Sequence, residues 1–362
     1  MIATLLLSGL CSQACPTYTI NGHGPLDRLG YVVNRVGDLN LDGHEEILIS
    51  APGLILGRGY VQVYSGNHAE LLFEWHGGQA GTEFGQSAAD AGDVDGDGHP
   101  DVVVGEQVFA NGRGRAIVFS GKTGNSIFEF QGSGASSFLG RAVVGMGDLD
   151  NDGFSDIAVA NELPAQVLLV STARNSVIAT ISALSTASGF ANSMARLGDV
   201  NQDGKADLAI CDHQYDGPNG LGEGAVHVFS GADGTLIYSV LGGMPYNSFG
   251  KVVAVVGDWT GDGFPDFVAS GSSYLESRNY IRCHDGRTGS QFLGEIAPYD
   301  RSAGISLAGG VDWTQDGIPD LAFGTLNYGR GAVRVIDAQT RQLIYKVDSQ
   351  NSSPFYPSAL AM

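Results

Sequence analysis

Six acidic loops of one pattern recur along the 362-residue chain, and their oxygen-bearing side chains are spaced to surround a cation. They begin at Asp38, Asp93, Asp148, Asp199, Asp258 and Asp312, at separations of 55, 55, 51, 59 and 54 residues. A hard ion such as Ca2+ takes roughly six to eight oxygen ligands, which a tight loop supplies from alternate side chains and one carbonyl. Positions one, three, five and nine are Asp38, Asn40, Asp42 and Glu46 in the first loop, and Asp93, Asp95, Asp97 and Asp101 in the second. The third has Asp148, Asp150, Asp152 and Asp156, and the fourth Asp199, Asn201, Asp203 and Asp207. In the fifth and sixth, Thr replaces the acid at position three: Asp258, Thr260, Asp262 and Asp266, then Asp312, Thr314, Asp316 and Asp320. Position seven (His44, His99, Phe154, Lys205, Phe264, Ile318) has no common side chain, as suits a residue offering only its carbonyl. Position six is always glycine, the residue that enters the left-handed region cheaply and lets the loop close.

Acidic turns also favour Asp, Asn and Gly without any metal. Against that reading, 20 of the chain's 39 acids sit at these four positions. Two like charges about 5 Å apart cost roughly 3 kcal/mol at an effective dielectric of about 20, and several such pairs per loop would exceed a domain's usual net stability. Up to six Ca2+ are therefore expected, and six would bring the formal charge from −20 to about −8. The acidity is then mostly ligand, and the net negative charge disfavours nucleic acid as a partner. An EF-hand is excluded, since position twelve is apolar and falls in short runs such as Ile47-Leu48-Ile49 and Val102-Val103-Val104, which read as strands.

Around each loop the repeat has further parts. About ten residues before the loop comes a glycine, usually after Phe or Leu: Leu29-Gly30, Phe84-Gly85, Leu139-Gly140 and Phe249-Gly250, with Ala303-Gly304 weaker and Gly189-Phe190 inverted. A small-residue strand leads into the loop and an apolar strand leaves it. A third strand then ends in Ser-Gly (VQVYSG, AIVFSG, VHVFSG), and a fourth follows. Four strands at a period of this size make a propeller blade. The arrangement resembles the FG-GAP repeat of the integrin alpha-chain N-terminal β-propeller, and the first loop keeps the ending Ile49-Ser50-Ala51-Pro52. The resemblance implies up-and-down four-stranded blades, calcium loops joining first and second strands, and seven blades.

The expectation is an all-β, seven-bladed β-propeller of four-stranded antiparallel blades with the last blade incomplete, the alternative being six-bladed. A spare fourth strand at Thr17–Ile20 and a spare first strand at Pro354–Leu360 would belong to the incomplete blade. Residues 1–14 suit a secretory signal peptide, leaving 15–362 as the propeller, although Ala3–Gly9 also resembles a third strand. No apolar stretch reaches the ~20 residues a spanning helix needs. Cys211 and Cys283 are expected either to pair across adjacent blades or to be two separate buried thiols. Extracellular calcium points to a secreted or cell-surface location.

The calcium loops occupy one end of the blades, so an unknown protein or glycan partner is expected on the opposite face. The longest turn there brings Asp212, His213, Tyr215, Asp216 and Asn219 into one stretch. Arg58, Arg113, Arg278 and Arg330 recur before the third strand, with Glu223 in the equivalent place of the fourth unit. They suit either an anionic ligand or, better, pairing with a neighbouring blade. No hydrolase elbow, zinc-protease motif or phosphate loop is present, so a non-enzymatic binding or adhesion module is expected, with no catalytic residues. A calcium-dependent polysaccharide-degrading enzyme (lyase or hydrolase), with His213 as its one cluster worth testing, and a lectin are the alternatives.

Overall fold

The computed structural model describes residues 2–6, 17–24, 27–53, 57–186, 189–296, 303–327 and 330–348. Each acidic loop is the turn of a hairpin, and the apolar run after it is a strand enclosed on both faces. Such enclosure explains why these runs are continuously hydrophobic instead of alternating.

A two-stranded antiparallel sheet comes first, β1 (Ile2–Leu6) with β2 (Thr17–Asn21). Six blade sheets follow in chain order. The first is β3 (Val33–Val36), β4 (Glu46–Ala51), β5 (Tyr60–Tyr64) and β6 (Leu71–His76). The second is β7 (Phe84–Gly92), β8 (Asp101–Glu106), β9 (Arg115–Phe119) and β10 (Ser126–Gln131). The third is β11 (Val143–Gly147), β12 (Asp156–Asn161), β13 (Gln166–Ser171) and β14 (Ser176–Ser182). The fourth is β15 (Phe190–Gly198), β16 (Asp207–Asp212), β17 (Ala225–Phe229) and β18 (Leu236–Leu241). The fifth has three strands, β19 (Val253–Gly257), β20 (Asp266–Ser273) and β21 (Arg278–His284). The sixth is β22 (Leu307–Val311), β23 (Asp320–Asn327), β24 (Arg330–Ile336) and β25 (Leu343–Asp348).

The chain is therefore an all-β propeller of four-stranded antiparallel blades, six of them among the described residues, which is the number of the six-bladed alternative. The fifth blade departs from four strands. Among the described residues its outer segment pairs with β21 at two isolated bridges, Ile281 to Ile296 and His284 to Gln291, and not as a continuous ladder. The spare strand at Thr17–Ile20 lies in β2, and its partner β1 makes the pairing of a third with a fourth strand. The expected strand at Pro354–Leu360 lies outside the described residues, as do Cys11 and Cys15.

Two compact units divide the chain, Met1–Pro164 with Val170–Ser176 and Ala165–Leu169 with Val177–Met362, and the division falls within the third sheet. In the first unit Val36, Leu48, Val61, Val63, Phe84, Val102 and Val104 share one core between blades. In the second, Leu197, Val226, Phe249, Phe267 and Tyr280 form one core, while Val256, Ile281, Leu321 and Phe323 belong to another. Cys211 lies in the former and Cys283 in the latter, both free thiols and fully buried, so the two do not pair. Burial pushes the Cys283 thiol up to about 12.

The Phe/Leu-Gly element seats each blade against its predecessor. Leu29, Phe84, Leu139 and Phe249 are buried, and Gly140 and Gly250 donate to Ala160 and Ser270 of their own second strands at 3.0 Å. A second glycine stands immediately before each of the first five loops, and at several of them it answers to the next blade. A β-carbon on Gly37 would lie 2.6 Å from Pro100 Cγ, and one on Gly257 2.9 Å from Pro319 Cγ. The proline is position eight of the following loop in both cases. Gly37→Val is expected to cost about 1–3 kcal/mol by overpacking, measured by chemical denaturation. Adding Pro100→Ala should recover part of that loss; strictly additive single and double variants would contradict the contact.

Candidate metal centres

Each loop is held first by its own side chains. The position-one carboxylate accepts the N–H groups of positions five and six at 2.7–3.2 Å in all six copies. Position five accepts the N–H of position seven at 2.9–3.1 Å. The position-six glycines have φ between 85° and 93°, and nothing within 4 Å would meet a β-carbon there. Their identity is thus a demand of the backbone and not of space. Position four is left-handed as well (Leu41, Gly96, Asn151, Gln202, Gly261, Gln315), which sequence reasoning missed although Gly and Asn fill half of these places.

Position nine does something that its reading as a plain ligand did not foresee. Glu46, Asp101, Asp156, Asp207, Asp266 and Asp320 are all 0% exposed. One oxygen of each accepts the backbone N–H of position two, at 2.5–2.8 Å. In the last five loops the other oxygen accepts an N–H just past the third strand: Gly121 at 3.0 Å, Thr172 at 3.2 Å, Gly231 at 3.2 Å, Gly286 at 3.0 Å and Ala338 at 3.2 Å. The carboxylate therefore straps the acidic loop to the neighbouring turn of its own blade. At two of these turns glycine is demanded by space, since a β-carbon on Gly121 or Gly286 would collide with the carbonyl of position eight, while Thr172 and Ala338 fit a side chain at the equivalent place. Glu46 is one methylene longer, and its Oε1 is buried without a hydrogen-bond partner.

Burial raises these carboxyl groups: Glu46 to about 7, and Asp101, Asp156 and Asp207 to about 6, with Asp266 and Asp320 moved the same way. Backbone N–H groups oppose the shift. In the first three loops neighbouring acids add to it, Asp38 and Asp42 on Glu46, Asp95 and Asp93 on Asp101, and Asp150 and Asp152 on Asp156. A divalent cation among these oxygens would reverse that repulsion.

Oxygen atoms of three acids converge within 4.8 Å of one another at Asp38, Asp42 and Glu46, at Asp93, Asp95 and Asp101, and at Asp148, Asp150 and Asp156. An all-carboxylate donor set suits a hard ion. In the third loop Asp150 Oδ1 is buried without a hydrogen-bond partner, while Arg174 bonds the other oxygen of Asp150 and lies 3.8 Å from Asp152. Among the described residues the other three loops do not converge in this way. Asp203 Oδ2 instead accepts from Asn201 and Ser230, both at 2.8 Å, and Thr260 and Thr314 turn their hydroxyls onto Asp258 and Asp312.

Three of the position-seven side chains make contacts that the sequence did not suggest, two to the preceding loop and one within its own blade. His99 Nδ1 donates to the Leu39 carbonyl at 2.7 Å, the Phe154 ring lies against Gly96, and Arg287 stacks 4.8 Å over Phe264.

The other sequence clusters do not assemble. His213 bonds Asn192 at 3.1 Å, Asp216 accepts from Gly222, Asn219 donates to the buried Glu223, and Tyr215 packs edge-on against His227. Each of these holds the long turn together, and they present no common reacting centre. Arg58 and Arg113 are exposed, while Arg278 pairs with Glu276 and Glu295, so the repeating arginines form no joint anion site among the described residues.

The FG-GAP-like repeat model matches residues 35–104 and 148–210, the stretches that carry the first, second and third-to-fourth loops. Those two stretches carry FG-GAP-like repeats. It is 32% identical over 142 residues to integrin alpha-V of Gallus gallus, 34% over 140 to integrin alpha-4 of Xenopus laevis, and 36% over 148 to integrin alpha-7 of Rattus norvegicus. These matches cover 36%, 36% and 38% of this chain but only 14%, 13% and 13% of the relatives. Among solved structures the Dos1 propeller aligns with a TM-score of 0.42 and 11% identity, covering 74% of this chain and 61% of that one. The blade sheets themselves carry the fold assignment.

Strap and ligand are separable by mutation. Asp101→Ala orphans two buried N–H groups and should cost about 2–5 kcal/mol with or without chelator. Asp97→Ala removes a carboxylate that is not a strap, and its effect should shrink to within about 1 kcal/mol in chelator. Equal losses for both variants in chelator would refute the division of labour.

Proposed function

We propose that these FG-GAP-like repeats form a calcium-stabilised, non-enzymatic binding module that acts outside the cell on a protein or glycan. The observation that carries this reading is the convergence of three carboxylates at the same place in each of the first three loops. Asp38, Asn40, Asp42 and Glu46, and their counterparts in the other loops, would hold the ion, with the position-seven carbonyl completing the set. Ca2+ there supplies charge neutralisation, not reaction chemistry. Similarity to integrin alpha chains supports adhesion as the class of activity and an extracellular or cell-surface location. Among the described residues no helix is long and apolar enough to cross a membrane.

The first three loops should fill most readily and the last three more weakly, because the first three each bring oxygens of three acids within 4.8 Å of one another. At affinities of about 10⁻⁴ to 10⁻³ M, 1 mM Ca2+ adds roughly 0.4–1.4 kcal/mol per site. Chelation should therefore lower the melting temperature by several degrees, and calorimetry should count at least three ions. An unchanged melt together with no bound calcium at millimolar concentration would end the proposal.

A further inference from the structure

Opposite the acidic loops, a cleft opens between the fourth and fifth blades. Strand β20 runs from Asp266 at the loop to Ser273 at the cleft, so the two features lie at opposite ends of one blade. The cleft measures about 440 Å³, within the usual ~300–1,000 Å³ of small-ligand sites. Its floor is the linker between those blades, hydrogen-bonded on both sides. Tyr246 N–H donates to Leu221 O at 2.8 Å and Ser248 N–H to Gly222 O at 3.0 Å, while the carbonyls of Tyr246 and Asn247 accept from Tyr274 at 3.2 Å and Ser272 at 3.1 Å. A site whose walls are tied in this way loses little freedom on binding.

Two tyrosine rings stand in water at this place, Tyr246 at 52% and Tyr274 at 81% exposure. Ser248, Ser272 and Asn279 line the same cleft. The cation of the cleft is matched: Arg278 Nε is 2.7 Å from Glu276 and Nη1 is 2.5 Å from Glu295. Nothing in the lining asks for an acidic ligand. What it does ask for is a molecule with an apolar face to lie on a ring and a rim of groups that both donate and accept hydrogen bonds. A pyranose has that amphipathic shape. The recurring backbone marks the linker as scaffold: left-handed residues occur at Gly81 and Glu83, at Ser136 and Phe138, and again at Tyr246 and Ser248. The side chains it displays differ at each junction, and the tyrosine with serines is the display of this one.

We propose that this cleft binds a neutral oligosaccharide, with Tyr246 and Tyr274 as stacking platforms and Ser248, Ser272 and Asn279 as hydroxyl readers. The proposal rests on the reading of the chain as a binding module and names its site and ligand class.

The test applies the calcium-loaded full chain to an array of neutral gluco-, manno-, galacto- and N-acetylglucosamine oligosaccharides beside sulfated and uronic-acid ones, with calorimetry on the strongest binder. A neutral oligosaccharide should bind, and Tyr246→Ala and Tyr274→Ala should each weaken it about tenfold or more at an unchanged melting temperature. Binding that both variants leave intact would overturn the cleft assignment while sparing the binding-module reading. Silence of every neutral glycan at about 10 mM, or preference for acidic glycans lost in Arg278→Ala, would overturn the neutral-sugar proposal. Turnover of the bound glycan, abolished by the same tyrosine variants, would support the cleft and end the non-enzymatic reading.

Discussion

A buried carboxylate bound by backbone N–H groups is the joint on which each blade is built, and in the last five blades both of its oxygens are satisfied. Burying an ionised acid is costly unless hydrogen bonds replace its water, and position nine of the loop supplies them from two separate turns. Asp101, for example, holds Val94 and Gly121 at once, so the first-to-second and third-to-fourth turns of its blade cannot move apart without exposing a charge's partners. The requirement reaches into sequence well away from the acid. At Gly121 and Gly286 the strapped turn lies so close to the carbonyl of position eight that a β-carbon would collide with it, whereas Thr172 and Ala338 take the same strap bond with a side chain in place.

Joints of the second kind run from loop to loop. Position eight of one loop presses on the glycine before position one of the preceding loop, Pro100 on Gly37, Pro265 on Gly198 and Pro319 on Gly257. Trp259 adds a hydrogen bond from its ring nitrogen to the Pro319 carbonyl at 2.7 Å, and His99 reaches Leu39. The sixth loop is preceded by Val311 instead of glycine. The repeat spacing thus records contacts between successive blades as well as folding within each.

Period and pattern made the architecture legible. Six hairpins, their apolar second strands and the buried Phe/Leu-Gly elements could be read because each rests on a local demand repeated many times. The outer strand of the fifth blade was not legible, since residues 291–296 have the apolar content of a strand and only their pairing shows isolated bridges in place of a ladder. Nor was the double duty of position nine. An acid that ligates and an acid that straps are the same letter, and only burial with two N–H partners tells them apart. The long turn at Asp212–Gly224 misled for a related reason, because adjacency in sequence suggested a cluster, whereas Asp216 accepts from Gly222 within the turn and Glu223 divides its oxygens between Asn219 and the Gly243 N–H.

Charge and display are segregated along each strand. The acidic end is locked twice, by straps within blades and by contacts between loops, and a cation there would only deepen an arrangement that hydrogen bonds already define. Such an end has little freedom to vary without cost to the fold. The opposite end is held mainly through backbone bonds, which leave side chains free to change: the same linker conformation carries Glu83 at one junction, Phe138 at another and Tyr246 with Ser248 at a third. A scaffold that places its constraint at one end of the strands and its variety at the other can acquire a new ligand by substituting surface residues, with the metal loops and the strap carboxylates left untouched.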